Sequence, residues 1–275
     1  MAKEQYTRNR VHDIHMKEII IRLDYTGVRD GMDLVKLFDK RFPKIFKRSQ
    51  DIYNNEFSLS LRKDDLKDIS ESINVPINVI QKEKIVRYIG MKNVACDVIL
   101  DISQYYLCMT IKCDGNYDGL DNYVECFKGA ISVFGDSLPY FTPKRLGLRK
   151  IRVEDKPTIS DFENTFEPFV FHIPKYSIDG ANSLKSEYSD YIEDLSNNIR
   201  FNIKRTIGRV KKQSQNSESI AYLTTLDIDA YYKEEELRNI NELLNKANLL
   251  EFEIYKSCMS CLLYTSDAAD DMQCV

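Results

Sequence analysis

The segment Asp114-Gly115-Asn116-Tyr117-Asp118-Gly119, followed by Glu125, carries the sharpest chemical pattern in the chain. It fits the calcium-loop spacing D-x-[DN]-x-[DN]-G-x5-E in full. A hard cation of this size takes about six to eight oxygen ligands. Alternate residues of a tight loop deliver them, the glycine permits the turn, and a later glutamate closes the shell with both oxygens. Asp114, Asn116, Asp118 and Glu125 are the expected side-chain ligands, Leu120 offers its carbonyl, and calcium is the cofactor implied. Against this, the preceding segment reads as a strand, Asp121 stands where paired calcium loops place an apolar residue, and no second loop is visible. The competing reading is a polar strand-to-helix turn with Asp118 or Asp121 as the helix N-cap.

The second pattern is basic. Arg200, Lys204, Arg205, Arg209, Lys211 and Lys212 follow one another with no acid before Gln215, and Lys144, Arg145, Arg149, Lys150 and Arg152 form another cluster. On a strand, Arg200, Lys204 and Thr206 project away from Ile199, Phe201, Ile203 and Ile207. Both clusters on one sheet face would track phosphates, with Arg145, Arg149, Arg200, Lys204, Arg209 and Lys212 as the nucleic-acid contacts. The alternative is a solvated outer face balanced by nearby acids. Catalytic patterns are missing: the sequence has no P-loop, no G-x-G-x-x-G and no G-x-S-x-G. His12, His15 and His172 are its three histidines, and a Cys126–His172 pair has no local signal. The reading leans away from an enzyme. Tyr117, Tyr123, Tyr231 and Tyr232 are candidates for a partner surface.

These residues need elements to hold them. Ile19, Ile21 and Leu23 alternate in a first strand over 16–24. Leu34, Leu37, Phe38, Phe42 and Ile45 follow at helical spacing between Asp30 and Phe46, with Pro43 late in the run. Residues 49–83 are weakly patterned, with one short strand at 57–61. Strands are expected at 84–91, 96–102 and 105–113, a helix from Leu120 to Phe134 stopped by Gly135, and a strand at 146–153. A short helix at 160–166 comes next, and 188–194 reads as either strand or helix. A hairpin of 199–210 and 219–230 follows, then a helix from Lys233 to Tyr255 with Leu237, Ile240, Leu244, Ala247 and Ile254 inward. The order predicts an α+β fold, a mainly antiparallel sheet with helices packed on one face and two similar β-α-β-β halves.

Composition sets the frame: 275 residues, 43% apolar and 30% charged. No apolar run reaches the roughly 18 residues of a membrane span, so no membrane partner is expected. Residues 1–15 read as a flexible N-terminus and 16–260 as one domain, with halves at 16–113 and 114–260. The last fifteen residues, CLLYTSDAADDMQCV, have no Lys or Arg. They back-translate to a common transposase-based sequencing adapter, so 261–275 is read as a non-native tail on a truncated metagenomic gene. Without its three aspartates, 40 acids face 39 bases and the net charge is −1 rather than −4. Such a balance exerts no strong global pull on nucleic acid or membrane. Five remaining scattered cysteines without a signal peptide point to a reducing cytoplasm.

At Lys144–Arg152, KRLGLRKIR, the chain resembles a sporadically distributed prokaryotic family with a GLRYIN-like mid-chain strand. Leu146, Gly147, Leu148, Arg149 and Ile151 match, while Lys150 replaces an aromatic residue and Arg152 an asparagine. The resemblance implies a domain of unknown function acting by binding, with a protein partner and a link to mobile-element or phage-defence systems. Nucleic-acid binding and a calcium-loop protein are the alternatives.

Overall fold

The computed structural model describes residues 16–59, 77–90, 97–113, 119–171, 185–214, 217–234, 237 and 239–259. In chain order these residues form β1 (Met16–Thr26), α1 (Gly31–Arg41), β2 (Phe46–Leu59), β3 (Ile77–Gly90), β4 (Asp97–Ile102), β5 (Tyr106–Lys112) and α2 (Asp121–Ser137). They continue with β6 (Thr142–Lys156), α3 (Ile159–Glu163), β7 (Lys185–Asp194), β8 (Ile199–Ser214), β9 (Ser217–Lys233) and α4 (Ile240–Ser257). The strands make one nine-stranded sheet in the order β2-β3-β4-β5-β1-β6-β9-β8-β7. Every neighbouring pair is antiparallel. The expected α+β class with a mainly antiparallel sheet therefore holds.

The sheet forms because period-2 alternation runs through its middle. Ile19, Ile21 and Leu23 of β1 align in register with Ile111, Met109 and Leu107 of β5, and Leu148 and Leu146 of β6 flank Ile21 and Leu23 on the other side. All are buried, as are Val98, Leu100 and Ile102 of β4 and Leu226, Ile228 and Ala230 of β9. These residues define an apolar face. The alternate residues form a polar face.

Helix α1 contributes Leu34, Val35 and Phe38 to the core. The Phe38 ring meets Phe42, Phe46 and Tyr88 at centroid distances of 4.9, 5.5 and 4.9 Å. Asp30 caps this helix, accepting the Met32 N–H at 2.8 Å. Helix α1 packs on α2, α2 on α4, and α4 on β6 and β9. Entry to α1 depends on Gly27 at φ +83°, where a Cβ would lie 1.6 Å from the Tyr140 carbonyl oxygen.

Several boundaries differ from expectation. Helix α1 ends at Arg41 with Phe42 as its C-cap; Pro43 follows, and Phe46 opens β2 instead of closing the helix. The weakly patterned 49–83 region holds most of β2 and the start of β3, two long paired strands in place of one short one. Gly135 does not stop α2, which runs to Ser137 with Leu138 as C-cap. Residues 185–194 are a strand. The closing helix starts at Ile240 because β9 keeps alternating through Ala230 and Tyr232 to Lys233. Asn239 then caps α4, its side chain accepting the Glu242 N–H.

Candidate functional site

The sheet register brings charged residues from distant parts of the chain onto the polar face. One row crosses eight strands as Arg87, Asp101, Cys108, Arg22, Gly147, Tyr231, Arg200 and Glu193. The next reads Ile89, Ile99, Thr110, Ile20, Arg149, Asp229, Asn202 and Tyr191. The β3–β1 half of this second row carries three isoleucines, and the β6–β7 half is polar, with Arg149 and Asp229 as its charges.

Six cations here each have a carboxylate partner. Arg22 pairs with Asp24 at 2.6 Å, Arg87 with Asp101 at 2.8 Å and Arg145 with Asp229 at 2.7 Å. Arg149 pairs with Asp227 at 2.5 Å, Arg200 with Glu193 at 2.8 Å and Lys204 with Glu187 at 2.6 Å. Two arginines also lie over aromatic rings: Arg22 is 4.1 Å from the Tyr106 centroid and Arg145 is 4.4 Å from that of Tyr231. Such stacking adds cation–π attraction without removing the hydrogen bonds. Gly147 leaves room for this, since a Cβ there would sit 3.1 Å from Arg145 Nη1 and 3.4 Å from Asp229 Oδ1.

The electrostatics follow from this packing. Burial pushes the Asp229 carboxyl up, with Arg145 and a hydrogen bond from Asn202 acting against it. The Asp227 hydrogen bond raises Arg149 above its ordinary value. Burial lifts the Cys108 thiol to about 11 and that of Cys126 to about 12, which keeps both protonated and weakly nucleophilic near neutral pH.

The other side of β6 carries a buried triad. Lys150 Nζ lies 2.7 Å from Glu251 Oε2, and the Arg152 guanidinium pairs with both Glu251 oxygens. Lys150 and Glu251 are fully buried and Arg152 is 3% exposed. The Tyr255 ring lies under Arg152, 3.9 Å from its Cζ. Burial alone would push Glu251 up, but Arg152 and Lys150 outweigh it and hold the carboxyl at about 2.

The sequence candidates fall into three groups. Arg145, Arg149, Arg200 and Lys204 do come together on the polar face, separated by the acidic strand β9. Arg209 has the parity of the apolar face, opposite Tyr222, and Lys212 pairs through its backbone with Ser219 while its side chain lies outside the described residues. Of the calcium-loop set, Asp114, Asn116 and Asp118 lie outside the described residues. Glu125 is exposed on α2 and pairs with Lys128 at 2.9 Å, and the Leu120 carbonyl accepts the Tyr123 and Val124 N–H groups. Leu120 itself is the helix N-cap, without a side-chain cap, so Asp121 does not take that place. Tyr123 and Tyr232 are core residues and Tyr231 is on the polar face; Tyr117, His12, His15 and His172 lie outside the described residues.

Sequence reasoning missed Glu251, because an acid on an amphipathic helix reads as solvent-facing. The signal was its place among Leu244, Ala247 and Tyr255 on one helical stripe. Among the described residues, no three His, Cys, Asp or Glu side chains are grouped to hold a metal, and no helix is long and apolar enough to cross a membrane. No protein-family model, no curated protein and no solved structure matches the chain.

Proposed function

We propose that the chain is a binding module that presents the polar face of its sheet to a protein partner. In this reading the helices all cover the apolar face and leave the polar face open. The two halves are alike: β1 and β6 lie side by side at the centre, and each is followed by a helix, a crossing to a sheet edge and a meander back. The carrying observation is that Arg22, Arg87, Arg145, Arg149, Arg200 and Lys204 each lie 2.5–2.8 Å from a carboxylate of the chain.

A phosphate track needs unspent positive charge, because affinity for nucleic acid comes from counterion release on neutralising phosphates. Here each of these six cations already has a carboxylate within the chain. A face of arginines stacked on tyrosines with half-exposed isoleucines has instead the composition of protein interface cores. The link to mobile elements or phage defence rests only on the resemblance at Lys144–Arg152.

Two measurements separate the readings. Titration with single- and double-stranded oligonucleotides at low salt is expected to show no binding. Affinity that falls steeply with salt would transfer the function to nucleic acid. In a pull-down from the source organism, a protein retained by the wild type is expected to be lost on Arg149→Ala/Tyr231→Ala with the fold intact. Retention by that variant removes the polar face from the reading.

A further inference from the structure

We draw no further inference here: the strongest candidate, the surface patch that Ile89, Ile99 and Ile20 form across β3, β4 and β1 on the polar face of the sheet, belongs to the face already described, and nothing in the structure shows what covers it.

Discussion

Strand β6 carries two kinds of ion pair on its two sides, and the contrast between them is instructive. Arg145 and Arg149 face the polar side, where their side chains are 30% and 44% exposed and their carboxylate partners come from the adjacent strand. Lys150 and Arg152 face the apolar side, 0% and 3% exposed, and share one carboxylate from a helix about a hundred residues further on. Residue types and pairing chemistry are alike. The solvent differs. Water screens the first set, so each pair contributes little. In the second set, three charges have left water and hold one another only while all partners are present. The polar-face pairs can therefore be rearranged at low cost, whereas the triad holds α4 on the sheet.

Breaking the triad is the largest test of this difference. Glu251→Ala leaves two buried cations without their anion and is expected to cost about 3–5 kcal/mol, read as a lower urea midpoint. Replacing all three charges, as Lys150→Met/Arg152→Met/Glu251→Leu, removes the desolvation cost together with the attraction and is expected to leave stability near or above wild type. A triple variant as unstable as Glu251→Ala would show that the triad supplies more than mutual neutralisation.

The pH dependence sharpens the same contrast. Glu251 has a folded value of about 2 against an ordinary 4.5. Its folded value lies below its unfolded one, so the stabilisation is complete above the ordinary value and is lost as pH falls toward 2. The expected loss over that window is about 3 kcal/mol. Urea unfolding at a series of pH values checks it: the wild type is expected to weaken there, and the triple apolar variant to lose this component. An unchanged acid limb in the triple variant would assign that limb to other carboxylates.

On the polar face the effects shrink. Arg149→Ala is expected to cost about 1 kcal/mol, because Asp227, with only 11% of its side chain exposed, loses its partner. Lys204→Ala, in a pair that is 51% and 40% exposed, is expected to stay within about 0.5 kcal/mol. Repeating both at high salt should reduce the two costs toward zero. A Lys204 effect as large as that of Glu251 would erase the distinction between the two sides.

The parts of this arrangement that sequence makes legible are local. Alternation in Ile19–Leu23, Val98–Ile102 and Ile220–Ala230 assigned strands, and the opposition of Arg200 and Lys204 to Phe201 and Ile203 followed from side-chain period alone. Strand β2 and the first half of β3 were obscured because their polar residues lack clean alternation, whereas the second half of β3 was legible in the strand expected at 84–91. The end of α1 moved because Phe46, read as helical, packs on Phe38 from the first residue of a strand. The basic clusters were visible as clusters, but their partners were not, since Asp227, Asp229 and Glu193 reach them only through strand pairing.

The amino-acid order by itself determined that this chain makes a two-sided antiparallel sheet, because side chains in a strand must alternate and the oily ones must leave water. It did not determine what the charges on β6 would meet. Parity sends Lys150 and Arg152 to the same side as Leu146 and Leu148. Only the docking of α4 decides that Glu251 waits there, since a contact across the fold depends on where the helix packs and not on any neighbour in sequence.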